Sequence, residues 1–257
     1  MFKYRNSLIG RFVFILIFLG ACVRPAPTVY VEGEIIPVDV SNIPEKDQAV
    51  DSVIALYRKA LEEEMNQVIA ISAHTMERGS PEGLLNNFVA DLIMEIGERL
   101  YRPEDGQGID FTLLNYGGLR TSIPAGEVTR ARIFELMPFE NEMVVLTLSP
   151  ERTEELFQYL AEARVGMPVS GIELLIRNHQ VEEVSIQGES FDPDRNYKVL
   201  TSDYLAGGGD NMVFFLDPLQ SEYLNMRIRD AIIKFLGEQH ERGLKIESEL
   251  DGRIRRE

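Results

Sequence analysis

The sequence predicts an α+β domain in which helices and sheets pack in layers. Segments with helical periodicity and segments with strand-like alternation both occur, but they do not follow one another regularly as in a parallel β-α-β sheet. Apolar residues make up 44% of the chain and aromatic residues 9%, a composition typical of a globular protein with a sizeable core. The chain contains no internal repeat and no low-complexity block.

Helices are predicted where apolar residues recur at three- and four-residue steps. Residues 81–100 show this most clearly, because their apolar side chains form one wide stripe. Ser149 is an expected N-cap and Pro150 an expected first helical residue, for a helix that runs to Ala163. The other predicted helices are 49–65, 221–236 and a short one after a turn within 127–136.

Short runs of β-branched and other apolar residues predict the strands. These strands are 67–72, 110–114, 143–148, 172–177, 184–186 and 197–201. The chain after Glu238 is highly charged, and we predict that it is mobile.

The N-terminus has the pattern of an export signal. Basic residues lie within 1–11, a short apolar run occupies 12–20, and small residues follow. The apolar run is too short to span a bilayer comfortably. Residues 19–22, Leu-Gly-Ala-Cys, resemble a bacterial lipobox, which implies cleavage before Cys22 and acylation of its thiol. A plain signal peptide that happens to contain a cysteine is the alternative.

These observations predict an exported bacterial membrane lipoprotein that faces the periplasm or the cell surface. The predicted divisions are a lipoprotein signal peptide at 1–21, a tether and extended arm at 22–48, a folded domain at 49–242 and a charged tail at 243–257. Cys22 is the only cysteine, so no intrachain disulfide is expected.

The charge of the chain limits its partners. The formal net charge is −16, and it is about −19 without the three basic residues of the leader. Such a surface repels nucleic acid and anionic lipid, so we expect no nucleic-acid partner and an anchor that depends on acyl chains. A phosphorylated small molecule would need a local cluster of arginines.

Three glycine-containing turns carry the candidate binding residues. The first is Asn-Tyr-Gly-Gly-Leu-Arg at 115–120, where Gly117 and Gly118 allow a tight turn and Asn115 and Arg120 project from it. An amide suits the edge of a base, and a planar guanidinium suits phosphate or carboxylate. The alternative is an ordinary Gly-Gly turn with a surface arginine.

The second turn is Leu-Met-Pro-Phe-Glu-Asn at 136–141, and the third is Asp-Tyr-Leu-Ala-Gly-Gly-Gly-Asp-Asn at 203–211. A core phenylalanine is the alternative for the second, and a loop with a solvated aspartate and a packed tyrosine is the alternative for the third. The candidate residues in these turns are Phe139, Asn141, Tyr204, Gly208, Gly209 and Asp210.

Metal-dependent chemistry has little support in the sequence. His74, His179 and His240 lie far apart and outside any metal-binding spacing, so we expect them to be surface or packing residues. The chain also contains no Gly-x-Ser-x-Gly elbow, P-loop or dinucleotide fingerprint. We therefore expect no metal site, no cofactor and no catalytic residue in this chain.

Taken in order, these turns resemble the C-terminal domain of the 5'-nucleotidase family, which includes UDP-sugar hydrolases and 2',3'-cyclic-nucleotide phosphodiesterases. The resemblance covers roughly residues 65–237 and implies a layered α/β/β/α fold. The segments that carry it are Ser-Pro-Glu-Gly-Leu-Leu-Asn-Asn-Phe-Val-Ala-Asp (80–91), Asn-Tyr-Gly-Gly-Leu-Arg (115–120), Pro-Phe-Glu-Asn (138–141), Pro-Val-Ser-Gly-Ile-Glu-Leu (168–174) and Leu-Ala-Gly-Gly-Gly-Asp (205–210).

The resemblance also implies roles for individual residues. Two aromatic rings of the family clamp the nucleobase, and Phe139 and Tyr204 occupy those positions. Stacking of a base on an aromatic ring contributes about 1–3 kcal/mol and tolerates different bases. Asn115 would meet the base edge, Asp210 would accept hydrogen bonds from ribose hydroxyls, and Arg120 would lie near the ribose and phosphate.

The chain departs from the family pattern in four respects, one of which is Asn-Met at 211–212, where the family usually has Gly and an aromatic residue after Gly-Gly-Asp. Arg78 is displaced by one position from the place of a second family arginine, and Glu140 adds a negative charge that is expected to weaken phosphate binding. Family enzymes also carry a preceding metallophosphoesterase domain, whereas about 40 residues lie here between Cys22 and the matching region, and Gly-Asn-His-Asp/Glu does not occur.

We therefore expect a domain that binds a nucleotide or nucleoside but does not hydrolyse it alone. Divalent metals, which position water for phosphoryl displacement, would belong to a separate metallophosphoesterase subunit. Together the two would remove phosphate from extracytoplasmic nucleotides. The alternatives are a stand-alone nucleoside- or nucleotide-binding lipoprotein, a degenerate domain kept for surface structure or interaction, and autonomous hydrolysis.

Overall fold

The structure of the chain is a computed structural model that describes residues 48–257. The predicted leader, Cys22 and residues 23–47 of the predicted arm lie outside these residues. Contacts divide the chain into two units, Met1–Ser52 and Val53–Glu257, and almost all of the described residues belong to the second. None of the helices within 48–257 has both the length and the apolar character of a transmembrane span.

The described residues form helices and mixed sheets, which confirms the predicted α+β class. The helices are α1 (Gln48–Met65), α2 (Leu84–Leu100), α3 (Arg130–Leu136), α4 (Pro150–Glu162), α5 (Asp203–Ala206) and α6 (Ile228–Glu241). The strands are β1 (Val68–Ser72), β2 (Phe111–Leu113), β3 (Gly126–Thr129), β4 (Glu142–Leu148), β5 (Val169–Ser170), β6 (Ile172–Arg177), β7 (Gln180–Ile186), β8 (Glu189–Ser190), β9 (Tyr197–Ser202), β10 (Gln220–Arg227) and β11 (Ile254–Arg256).

The central sheet has five strands in the order β10-β4-β9-β2-β5. Strand β9 runs parallel to β2 and antiparallel to β4, and it is buried along its whole length. On β4, Val145 faces one apolar cluster, whereas its neighbours Val144 and Leu146 face another. Because side chains of a strand alternate between two faces, this division shows that the central sheet is buried on both faces.

Different elements cover the two faces of the central sheet. Helices α2 and α6 pack together and supply apolar residues such as Val89 and Ile232 to the first cluster. Helix α4 and a four-stranded sheet, ordered β11-β6-β7-β8, supply Leu156 and Leu174 to the second. The α4 helix begins as predicted, since Pro150 is its first residue and the side chain of Ser149 accepts a hydrogen bond from the Arg152 N–H.

The predicted helix at 221–236 is wrong in its first half. Residues Gln220–Arg227 form β10, antiparallel to β4, and helix α6 begins only at Ile228. Leu224 and Met226 pack on the core, two residues apart, as a strand requires. Tyr223 is exposed beside them, so an apolar residue on the outer face made the spacing look helical.

The predicted mobility of the charged tail is also wrong. Ile246 and Ile254 are buried, and β11 pairs in parallel with β6. The Arg256 guanidinium donates to three carbonyls at the C-terminus of α4, among them that of Ala163 at 2.6 Å. The last carbonyls of a helix lack partners within the helix, so an arginine there is part of the fold and not a solvated charge.

Three boundaries differ from the predictions in smaller ways. The turn predicted after residue 127 is strand β3, which pairs antiparallel with β1. The strand predicted at 184–186 begins at Gln180, and helix α2 begins at Leu84, after Pro81. Only Val128 is buried in β3, so that strand lacks the apolar alternation from which strands are predicted.

Candidate functional site

The three predicted turns meet at one pocket of about 270 Å³. They meet because β2 and β9 end at the edge of the central sheet where the antiparallel strand β4 begins. The residues that line the pocket are Asn115, Gly117, Gly118, Arg120, Phe139, Asn141, Tyr204 and Asp210. Every predicted lining residue is therefore brought together, while Gly208 and Gly209 shape the loop behind them.

The first turn places Asn115 and Arg120 on one wall. Gly118 is buried, and a Cβ added to it would come within 2.8 Å of the Asn115 Oδ1, so a larger residue would displace the amide. The Arg120 N–H donates to the Leu136 carbonyl at 2.8 Å, which fixes the turn against the end of α3. The Arg120 side chain is exposed, and its Nη1 donates to the Gly117 carbonyl at 3.3 Å.

Arg78 supports this turn and is not among the residues that line the pocket. Its guanidinium lies 4.3 Å from the ring centroid of Tyr116 and donates to the Tyr116 carbonyl at 3.2 Å. The cation–π contact and the hydrogen bond together hold the turn in place. In this geometry Arg78 positions the turn, and its guanidinium is already engaged by Tyr116.

Phe139 forms the second wall of the pocket, and the residue is 39% exposed. Its main chain is fixed from the other side of the loop, because the Arg229 Nη1 donates to the Phe139 carbonyl at 3.3 Å. The Ile228 N–H donates to the Asn141 carbonyl at 2.9 Å. The predicted alternative of a core phenylalanine is thus excluded, since the loop is anchored and the ring faces the pocket.

Glu140 does not act as the uncompensated charge that the sequence led us to expect. Its carboxylate forms ion pairs with Arg227, at 2.9 Å, and with the buried Arg229. The hydrogen bond from Arg229 lowers the pKa of Glu140 below its usual value. The negative charge beside Phe139 is therefore balanced by two arginines.

Tyr204 and Asp210 form the third wall of the pocket, and their side chains are hydrogen-bonded to each other. The Tyr204 hydroxyl donates to the Asp210 Oδ1 at 2.8 Å, and the Asn115 Nδ2 donates to the Asp210 Oδ2 at 2.6 Å. The hydrogen bond to Asp210 raises the pKa of Tyr204, so the hydroxyl stays protonated and remains a donor. Tyr204 is 46% exposed, as expected for a ring that borders a pocket and not for a packed tyrosine.

Glycine occupies positions 208 and 209, behind Tyr204, for two different structural reasons. Gly208 has a φ of +83°, a left-handed conformation that other residues rarely adopt. A Cβ added to Gly209 would lie 2.5 Å from the Tyr204 ring, so only glycine lets the ring lie against the loop. Asp210 itself has a φ of +53°, which turns its carboxylate toward Asn115 across the pocket.

The arrangement suits a ligand that has a flat face and hydroxyl groups. A carboxylate has about four lone-pair sites, and Tyr204 and Asn115 occupy two of the sites on Asp210, so about two remain for hydroxyl donors. The two exposed rings offer flat apolar surfaces, and Arg120 offers a fork of donors for an anion.

Two residues that fix the main chain of the pocket loops were not predicted from the sequence. Arg229 fixes the Phe139 loop, and the hydroxyl of Tyr159 on α4 donates to the Asp210 carbonyl at 3.0 Å. Burial, with a smaller contribution from the negative charge of Asp210, raises the pKa of Tyr159. Neither residue lies in a glycine-rich turn, so no local signal marked it.

The histidines lie on separate elements, as their spacing predicts. His74 follows β1, where its Nε2 lies 3.1 Å from the Ser248 carbonyl oxygen, while His179 lies in the turn between β6 and β7, and His240 lies in α6. Among residues 48–257, no three His, Cys, Asp or Glu side chains form a group that could hold a metal ion.

Comparison with known proteins identifies the family. Residues 59–217 match the family described as "5'-nucleotidase, C-terminal domain". Two similar curated proteins are the trifunctional nucleotide phosphoesterase YfkN of Bacillus subtilis, 26% identical over 86% of this chain and 16% of that protein, and UshA of Yersinia enterocolitica, 30% identical over 52% of this chain and 25% of that protein.

A solved structure shows the same fold. The 5'-nucleotidase precursor of Thermus thermophilus aligns with a TM-score of 0.66 and 22% identity, over 81% of this chain and 43% of that one. This chain thus spans less than half the length of the relatives that it matches. The matched residues and the shared fold lead to one conclusion: the chain belongs to the 5'-nucleotidase family and has the fold of that family's C-terminal domain.

Proposed function

We propose that this domain binds a nucleotide or nucleoside in the pocket formed by the three turns. The observation that carries the proposal is the convergence of two exposed aromatic rings, Phe139 and Tyr204, on a pocket that also contains Asp210 and Arg120. The rings stack on the base, and each stacked base contributes about 1–3 kcal/mol. Asp210 accepts hydrogen bonds from the ribose, and Asn115 meets the base edge.

The phosphate lies toward Arg120, the exposed guanidinium of the pocket. A charge-assisted, forked contact with phosphate is stronger than a neutral hydrogen bond. Glu140 is paired with two arginines, so it does not oppose this contact as a free carboxylate would. Stacking on the two rings tolerates each base, so any preference among bases would come from Asn115 at the base edge.

The wider role that we propose is substrate binding for the removal of phosphate from nucleotides outside the cytoplasm. Two of these relatives are named as a nucleotide phosphoesterase and a 5'-nucleotidase, which supports phosphate-ester chemistry. The divalent metals belong to a separate metallophosphoesterase subunit, where they activate water. Export and a lipid anchor at Cys22 follow from the signal in residues 1–22.

Isothermal titration calorimetry of the purified chain tests the binding step. We expect saturable binding of AMP, weaker binding of adenosine, which lacks the phosphate, and weaker binding of ribose 5-phosphate, which lacks the base. An Arg120→Ala variant should lower the affinity for AMP but leave that for adenosine nearly unchanged. Absence of heat with all three compounds would refute the proposal and favour a domain kept for structure or interaction.

A rate measurement tests the proposed partnership. The chain is added to the proposed, separately encoded metallophosphoesterase subunit, and the release of phosphate from AMP is followed. We expect faster hydrolysis than with the subunit alone, and no acceleration with an Asp210→Ala chain. Tight AMP binding without any acceleration would instead support a stand-alone binding protein.

A further inference from the structure

Asp203 joins the two loops that carry the aromatic rings. Its Oδ1 accepts a hydrogen bond from the Tyr204 N–H at 2.8 Å and another from the Glu142 N–H at 3.1 Å. Tyr204 carries one ring, and Glu142 follows the Pro-Phe-Glu-Asn segment that carries Phe139. A single carboxylate oxygen therefore bridges the two ring-bearing loops.

The sheet explains why a bridge is needed at this point. Strands β4 and β9 are antiparallel, and their last paired residues at this edge are Met143 and Ser202. Beyond this pair β4 and β9 no longer pair with each other, although Glu142 still pairs with Arg227 of β10, and the two chains continue toward Phe139 and Tyr204. The ladder of main-chain hydrogen bonds no longer sets their separation, and the Asp203 side chain makes the next connection in its place.

Local helix capping does not account for this geometry. Asp203 is the first residue of α5, and Ser202 already caps that helix, because its side chain accepts from the Leu205 N–H at 3.2 Å. The bond from Asp203 to the Tyr204 N–H lies within the same turn. The bond to Glu142 crosses 61 residues of sequence and serves no purpose in the helix.

We propose that Asp203 is a positioning residue that fixes the separation of the Phe139 and Tyr204 rings so that a base fits between them. The inference rests on the proposed function, since it needs a base as ligand. A carboxylate or an amide oxygen can accept both N–H groups, whereas a methyl side chain accepts neither. Loss of the bridge lets the rings drift apart and weakens stacking, without removing any group that touches the ribose or phosphate.

Three variants test this inference in the full chain. Asp203→Ala removes the bridge, Asp203→Asn keeps an acceptor at Oδ1, and Asp194→Ala is a control at an exposed aspartate in the turn before β9. Calorimetry with AMP and with ribose 5-phosphate separates loss of stacking from loss of the whole pocket. Amide hydrogen exchange measured by NMR reports the Glu142 and Tyr204 N–H groups directly, with no ligand present.

For Asp203→Ala we expect AMP to bind about tenfold more weakly, within the range for losing one stacking contact, and ribose 5-phosphate to change less than about twofold. The Glu142 and Tyr204 amides should exchange faster. Asp203→Asn should restore both readouts, and Asp194→Ala should change neither.

Two results would overturn the inference while leaving the proposed function intact. One is AMP binding by a folded Asp203→Ala variant that equals that of the parent chain. The other is an equal loss for AMP and ribose 5-phosphate, or a loss that Asp203→Asn does not reverse, because either would indicate general damage to the loop. Failure of the parent chain to bind either compound would instead refute the proposed function itself.

Discussion

Replacing Phe139 by alanine isolates the contribution of one ring to binding. The ring is 39% exposed, and the loop is held through main-chain carbonyls by Arg229 and Ile228, so the loop should keep its shape. We expect the free energy of unfolding to fall by less than about 1 kcal/mol, as for a surface substitution. Loss of one stacking surface removes about 1–3 kcal/mol of binding free energy, which is a roughly 5- to 150-fold rise in the Kd for AMP.

The assay is calorimetry on Phe139→Ala beside two reference variants. Phe139→Tyr keeps a ring and should bind AMP within about threefold of the parent chain, since every base can stack on either ring. Tyr223→Ala removes an exposed aromatic ring on β10 that does not line the pocket, and it should leave the Kd unchanged. A folded Phe139→Ala variant that binds AMP as tightly as the parent chain would refute the base clamp.

Two further predictions concern stability. Ile254→Ala, at a buried position of β11, should lower the free energy of unfolding by about 2–5 kcal/mol in urea denaturation. Leu250→Ala, at an exposed position, should change it by less than about 0.5 kcal/mol. Equally small effects of the two variants would mean that the tail is not part of the folded core. Arg229 lowers the pKa of Glu140 in the folded state. The ion pair therefore stabilises the fold above pH 4.5, the usual pKa of the carboxyl group, and this stabilisation is lost as the pH falls through the lowered pKa. The melting temperatures of the parent chain and Glu140→Gln should therefore converge in acid, and a constant difference across that pH range would contradict the ion pair.

The residues of the pocket could be predicted because each lies in a turn with a local signal. A Cβ added to Gly118 would displace the Asn115 amide and one added to Gly209 would meet the Tyr204 ring, and such close approaches favour glycine in the sequence. The start of helix α4 could be predicted for the same reason, since its N-cap and first residue stabilise the helix within its first turn. The turns that line the pocket and the start of α4 could therefore be located from neighbouring residues in the sequence.

Features that depend on residues distant in sequence could not be predicted in this way. Strand β10 is a strand because β4 pairs with it, although Tyr223 on its outer face gives it a helical spacing. The tail is ordered because Arg256 meets the carbonyls at the end of α4, and its charge alone indicated the opposite. The residues that hold the pocket, Arg229 and Asp203, act on loops up to 90 residues away in sequence.

The negative net charge of the chain opposes binding of anions, whereas Arg120 in the pocket favours binding of a phosphate. The two effects are compatible because they act over different distances. A net charge of −16 opposes binding of a long polyanion, which would contact many carboxylates at once. A single phosphate responds mainly to charges within a Debye length, about 8 Å at physiological ionic strength. Arg120 and Asp210 both line the pocket, where a phosphate would meet the arginine, and the carboxylate of Glu140 is paired with two arginines. The proposed binding of one nucleotide is therefore compatible with a strongly negative surface, and raising the salt concentration should weaken AMP binding more than adenosine binding.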